Sequence, residues 1–242
     1  MMISWLTPED PFPPVDRSLE QPNGLLAASA HVDADTLIRA YSQGIFPWYS
    51  DADPVLWWSP DPRMVLFTDE FVARRSLVRR IRAGLNARRF EVRVDVDFAA
   101  TMRECAVPRR SQDGTWITEE MFEAYCDLHR RGMAHSVEVF NRGRRIGGLY
   151  GVAIGRMYFG ESMFSLEPDA SKIALATLVQ LLRFEKVSML DCQQETPHLA
   201  SLGARAIARA QFCSHVTAAT HQLPIDWTRY QERAVTDLLQ AY

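Results

Sequence analysis

The sequence predicts an α/β fold of the α+β kind, in which a small loop-rich N-terminal domain over residues 1–62 precedes a larger one over residues 63–242. Three observations carry this. Nine of the 13 prolines fall in the first 62 residues, which limits regular structure there to short pieces. Beyond residue 63, period-two runs joined by tight-turn signals mark an antiparallel meander. An apolar helix then leads directly into a further strand.

The elements follow in order. One helix fits the N-terminal part, over 33–43, with Asp33 as its cap and Gly44 as its stop. Residues 71–93 carry eight arginines against Glu91, and they form an amphipathic helix with Phe71, Val78, Ile81 and Leu85 on one face and Arg75, Arg79 and Arg82 on another. Residues 88–96 alternate as a strand. Thr118 caps the next helix, with Glu119 and Glu120 in its first turn and Arg130, Arg131 and Gly132 at its end. Residues 135–140, the Asn141-Arg142-Gly143 turn, 145–153, the Gly155 turn and 157–164 form the meander. A buried helix over 170–184 and a strand over 188–193 complete the pattern.

With 47% hydrophobic and 24% charged residues the chain has ordinary globular composition, so wholesale disorder is excluded. No apolar run approaches the roughly 20 residues of a membrane helix, and a cytoplasmic protein without membrane contact is expected. Four separated cysteines without a C-x-x-C pair indicate neither a zinc ribbon nor a dithiol centre. Cys126 and His129 have helical spacing but no second pair, so no metal is expected. The net charge of −3 argues against nucleic acid, yet it conceals a local −7 over residues 1–62 and +7 over residues 71–93. The basic stripe suits a phosphate backbone, or is simply a solvated face.

Chemistry concentrates in two strands. Period two puts Asp191 and Gln193 on one face and Cys192 on the other, which makes Cys192 a poor nucleophile. Glu161 sits in an otherwise apolar strand and needs a partner or a role. The glycines at 147, 148, 151, 155 and 160 imply close backbone approach or bulges, and no phosphate-loop motif accompanies them. Trp48 and Trp116 are either core filler or stacking surfaces for a base.

Nine segments in series resemble the bacterial leucyl/phenylalanyl-tRNA–protein transferases. They are Gly44-Ile45-Phe46-Pro47-Trp48-Tyr49, Leu56-Trp57-Trp58-Ser59-Pro60-Asp61-Pro62-Arg63, Gly114-Thr115-Trp116-Ile117-Thr118, Ala134-His135-Ser136-Val137-Glu138, Gly147-Gly148-Leu149-Tyr150-Gly151-Val152, Gly160-Glu161-Ser162-Met163-Phe164-Ser165, Ala170-Ser171-Lys172, Asp191-Cys192-Gln193 and His198-Leu199-Ala200-Ser201-Leu202-Gly203-Ala204. The resemblance implies a GNAT-like acyltransferase domain with a mixed, largely antiparallel sheet, using aminoacyl-tRNA in place of coenzyme A and no cofactor. The R-x-x-G-x-[GA] loop of CoA users is absent, in agreement.

The implied reaction moves Leu or Phe from Leu-tRNA or Phe-tRNA onto proteins with N-terminal Arg or Lys, creating an N-degron, by a monomeric enzyme. Asp191 and Gln193 would handle the amine proton, with Glu161 near the mouth of an apolar pocket of Leu149, Val152, Tyr158, Leu175, Leu178 and Leu182. Tyr41, Trp48 and Trp116 would hold the terminal adenosine, and Arg74, Arg75, Arg79, Arg80 and Arg82 the tRNA backbone. Thr196 departs from the pattern, standing where some members carry Asn. A CoA-dependent N-acyltransferase and a non-catalytic RNA-binding module are the alternatives.

Overall fold

A computed structural model describes residues 3–50, 53–107 and 117–242, and it contains two sheets. The first comprises β1 (Ser4–Leu6), β2 (Leu25–Ser29) and, after helix α1 (Ala34–Tyr41), β3 (Phe46–Pro47) and β4 (Val55–Trp58), in the order β1-β2-β4-β3. These strands are two to five residues long and flanked by proline, so no extended alternation announces them. The expected helix is present. Its Asp33 cap accepts the Thr36 N–H at 2.7 Å, and Gly44, at φ +75°, turns the chain after it.

The second sheet begins with β5 (Arg63–Phe67) and continues through α2 (Arg75–Asn86), β6 (Glu91–Val94), α3 (Phe98–Ala106), α4 (Glu119–Arg130), β7 (Ala134–Asn141), β8 (Arg144–Ile154) and β9 (Met157–Ser165). It ends with α5 (Ala170–Phe184), β10 (Met189–Gln193), α6 (Pro197–Ala200) and β11 (Arg205–Ile207), followed by α7 (Arg209–Thr220) and α8 (Thr228–Gln231). The strand order is β11-β5-β10-β9-β8-β7-β6, and β9 with β10 is its one parallel pair among the described residues. The sheet is therefore mixed and largely antiparallel, as expected. Arg142 and Gly143, at φ +51° and +76°, form the tight turn of the β7–β8 hairpin.

Three local expectations change. The strand over 88–96 shortens to β6, because Arg88 lies at φ +47° in the turn that ends α2. The buried stripe of α2 is Leu77, Ile81 and Gly84, with Val78 and Leu85 half-buried and Phe71 ahead of the helix. Helix α3, capped by Asp97 accepting the Ala100 N–H at 2.9 Å, has no counterpart in the sequence reading.

Apolar clusters cover both faces of the large sheet. One joins α1 and the first sheet to α3, α4 and α7, and the other gathers α2, α5 and the C-terminal segment. Gly147 lets α5 pack closely, since a Cβ there would lie 2.5 Å from Ala170 Cβ. We keep the division at residue 62 as a proposal, because the first cluster runs across it. No described helix is long and apolar enough to cross a membrane.

Candidate active site

β9 and β10 pair only at Leu190 with Tyr158 and at Asp191 with Phe159. A cleft of about 430 Å³ adjoins these strands. Its apolar lining includes Leu149, Tyr158, Leu175 and Leu178 from the expected pocket, joined by Leu66, Met163, Leu190 and Leu199. Val152 and Leu182 do not line it. Val152 stands an odd number of residues from Leu149 and so belongs to the cluster on the opposite face, while Leu182 lies a helical turn beyond Leu178 in closed core. Trp48 lines the cleft while remaining 43% exposed, and its ring meets Trp58 edge-on at 5.7 Å. Trp116 lies outside the described residues.

Glu161 lines the cleft, held by neutral donors. Tyr41 donates to Oε1 at 2.6 Å, Gln193 Nε2 donates to the same oxygen at 2.8 Å, and Tyr125 donates to Oε2 at 3.0 Å. The two tyrosine hydroxyls also lie 2.5 Å apart. Three oxygen–oxygen contacts need three hydrogens, and the tyrosines supply two. A proton taken up by Glu161 supplies the third, with one tyrosine then accepting from the carboxyl and donating to the other tyrosine. Burial moves this carboxyl up to about 7, against the pull of both hydroxyls, with Asp191 raising it and Arg63 lowering it. Tyr41 is fully buried and tilted on Phe159, so it supports Glu161 instead of presenting a face to adenosine.

Asp191 is differently placed. The Arg63 guanidinium grips both its oxygens, Nε to Oδ1 at 2.8 Å and Nη2 to Oδ2 at 2.6 Å, and both side chains are fully buried. Arg63 lies 4.6 Å from the ring centroids of both Phe46 and Phe212 and donates to the Gly44 carbonyl at 3.3 Å. After Asp191 the strand bulges. Gln193 takes φ +62°, its N–H bonds Asp191 Oδ1 at 2.9 Å, and its amide turns to Glu161. Simple alternation therefore stops before Gln193. The Cys192 thiol is pushed far up by burial and by the Asp191 charge, which leaves no thiolate for attack. Thr196 caps α6 by accepting the Leu199 N–H at 3.2 Å.

Arg63 and Tyr125 are the site residues that sequence reading missed. Arg63 opens the apolar run Met64-Val65-Leu66-Phe67, and such a cation needs a buried acid. Tyr125 shares the inward face of α4 with Met121 and Leu128, where a buried hydroxyl requires a partner. The arginines of α2 lie apart from the cleft: Arg75, Arg79, Arg80 and Arg82 are exposed along the helix, and Arg74 precedes it.

Two sequence-family models match the chain: leucyl/phenylalanyl-tRNA protein transferase over residues 65–217, and the N-terminal domain of the same transferase over residues 31–61. The leucyl/phenylalanyl-tRNA–protein transferase of Burkholderia vietnamiensis is 57% identical over 241 residues, covering 98% of this chain and 94% of its own. That of Paraburkholderia phymatum is 54% identical, covering 98% of each. Likeness to solved structures is slight. The L-PGS of Bacillus licheniformis aligns with TM-score 0.36 and 12% identity over 75% of this chain and 59% of its own. A GCN5-related N-acetyltransferase-like protein of Streptococcus suis aligns with TM-score 0.33 and 16% identity over 72% and 63%.

Proposed function

Because this chain belongs to the leucyl/phenylalanyl-tRNA protein transferase family of aminoacyltransferases, we propose that it moves Leu or Phe from tRNA onto the N-terminal Arg or Lys of a protein. The product is a new peptide bond at the protein's N-terminus and an N-degron. We further propose that it acts as a cytoplasmic monomer and needs no cofactor.

The observation that carries this reading is Glu161, a carboxyl with a pKa of about 7 held by two hydroxyls and an amide at an apolar cleft. An acceptor α-ammonium has a pKa of roughly 8, so its proton can pass to Glu161 near neutrality. The freed amine nitrogen attacks the ester carbonyl carbon. The C–N bond forms, the bond from that carbon to the ribose oxygen breaks, and the proton that the attacking nitrogen sheds passes to the leaving oxygen. The substrate ester is already activated, so alignment is the enzyme's main task.

Each remaining group has a part in that alignment. Trp48 stacks on the terminal adenosine, with Trp116 as the second surface that the resemblance nominates. Leu149, Tyr158, Leu175 and Leu178 receive the Leu or Phe side chain. Gln193 stands beside Glu161 where the acceptor amine enters. Asp191, with both oxygens on Arg63, acts through Gln193, fixing the bulge that aims the amide. It is a positioning residue.

Incubating labelled Phe-tRNA with peptides that begin with Arg, Lys or an acetylated residue tests the proposal. Label should appear on the first two peptides and not on the third. Intact tRNA binding with no transfer to any of them would favour the non-catalytic RNA-binding module.

A further inference from the structure

The two faces of the first sheet differ. On one, Trp57 is fully buried and meets Phe12 edge-on at 4.9 Å, within the core that contains α1. The other carries a row that crosses the strands. Trp5 on β1 is the register partner of Ala28 on β2, and Ala28 is that of Leu56 on β4. The Trp48 N–H donates to the Leu56 carbonyl at 2.9 Å, which extends the β3–β4 pairing by one step and sets Trp48 beside Leu56. Register partners share a face, so Trp5, Ala28, Leu56 and Trp48 stand in line.

Trp5 is 60% exposed and Trp48 43%, with Leu56 half-buried and the small, buried Ala28 as the floor between Leu56 and Trp5. An indole left in water forgoes much of what its burial would contribute, and two of them at the ends of one row mark a contact surface. Trp48 also lines the cleft, so the row is an apolar track that leads away from the reaction site.

Charge decides what lies on it. Residues 1–62 carry nine acids against Arg17 and Arg39. Glu9, Asp16, Glu20 and Asp53 are exposed and take part in no ion pair among the described residues, and Asp10 shares a shallow depression with Trp5. Such a lobe repels a polyanion and attracts a chain that begins with a cation.

We infer that this row holds the acceptor polypeptide downstream of its N-terminal residue, in extended form, with an apolar acceptor side chain packed on Trp5. The inference rests on the proposed transfer reaction, which puts the acceptor's first residue at the cleft. Neighbouring strands lie about 4.8 Å apart, so Trp48 to Trp5 is roughly 14 Å, which an extended chain spans in about four residues. The Trp5 indole therefore meets about the fifth residue of the acceptor. Selection then depends on a position well inside the chain as well as on its first residue, and it requires an acceptor whose N-terminal segment is unfolded.

The test compares two peptides, Arg-Ala-Ser-Ala-Phe-Ser-Lys and the same chain with Ser in place of Phe, on wild type and Trp5→Ala, with Phe-tRNA as donor. Wild type should show a KM for the Phe peptide about tenfold below that for the Ser peptide, at equal kcat. Trp5→Ala should abolish the difference, Trp5→Phe should restore most of it, and the KM for Phe-tRNA should hold in both. Binding of the same peptides with a fluorophore at the C-terminus is followed by anisotropy without tRNA, and it reads the row even if wild type transfers nothing. Equal KM and equal binding of the two peptides on wild type overturn the inference. So does an equal loss for both peptides in Trp5→Ala, which would trace the effect to the fold, or a rise in the KM for Phe-tRNA, which would assign the row to the nucleic acid. Sedimentation of wild type as a dimer that Trp5→Ala dissolves would overturn it too, by giving the row to a second copy.

Discussion

Two buried carboxylates on the large sheet titrate in opposite directions. At the β6–β7 edge, Asp95 accepts from the His135 ring Nδ1 at 2.7 Å, the Ser136 N–H at 2.7 Å and Gln231 Nε2 at 2.8 Å. His135 is stacked 4.2 Å from Trp227, with its Nε2 against the Gly132 carbonyl at 3.0 Å. Burial pushes Asp95 up, but His135 and the surrounding donors outweigh it and hold the carboxyl below its ordinary range. Glu161 also bonds three donors, yet two are phenols and one is an amide, and burial prevails. The number of hydrogen bonds does not separate the two. The identity of the donors does: the ring of His135 and the groups around it outweigh burial at Asp95, whereas two phenols and an amide do not at Glu161, which is left near neutrality.

The largest test of that contrast is Glu161→Gln against Asp95→Asn. The first should lower transfer by roughly 10²–10⁴ with little loss of tRNA binding. The second should leave turnover per folded molecule near wild type while the melting temperature falls. Comparable turnover losses in both would erase the distinction. Asp191→Ala comes next, since it leaves Arg63 buried without its partner, at a cost of about 3–5 kcal/mol of stability. Thermal unfolding should show that loss, and an unchanged melting temperature would contradict the clamp.

Acidity sharpens the comparison further. Glu161 rises from 4.5 to about 7 on folding, so its contribution to stability is present below 4.5 and lost as pH rises through 7. The melting temperature of Glu161→Gln relative to wild type should therefore be higher at pH 8 than at pH 5. Asp95 shifts the other way: its contribution holds above 3.8 and is lost as pH falls through its lowered value. A profile of kcat/KM on Phe-adenosine should rise through about pH 7 in wild type and lose that inflection in Glu161→Gln. The smallest effect belongs to Trp48→Ala, which should weaken binding of a Phe-adenosine analogue by about 1–3 kcal/mol. Because Trp48 is 43% exposed, its melting temperature should barely move, whereas a core tryptophan would betray itself there.

What the sequence revealed followed the range over which each signal acts. The 170–184 helix and the β7–β9 meander were legible because their apolar periods and turn residues lie within the elements themselves. Glu161 and Asp191 stood out as charges in apolar strands. Their roles did not, because what surrounds them comes from afar: Arg63 is 128 residues from Asp191, and Tyr41 is 120 from Glu161. The Gln193 bulge likewise arises from pairing with β5, which no local pattern announced. Strands as short as β3 offer too few residues for alternation to register.

Arg63 also bears on how the molecule assembles. Its guanidinium is enclosed by Phe46 from the first sheet, Asp191 from β10 and Phe212 from α7, so a cluster of this kind closes only when chain segments about 150 residues apart have met. Contacts of such sequence separation carry the loop-closure entropy of the intervening chain and belong to the late, cooperative stage of folding. The same reciprocity acts in the folded state. Fraying of α7 would strip one ring from the guanidinium and loosen its hold on Asp191, on the Gln193 bulge and on the amide that meets Glu161. Hydrogen exchange should consequently find α7 and the β5–β10 ladder opening as one unit, even though α7 contributes no side chain to the lining of the cleft.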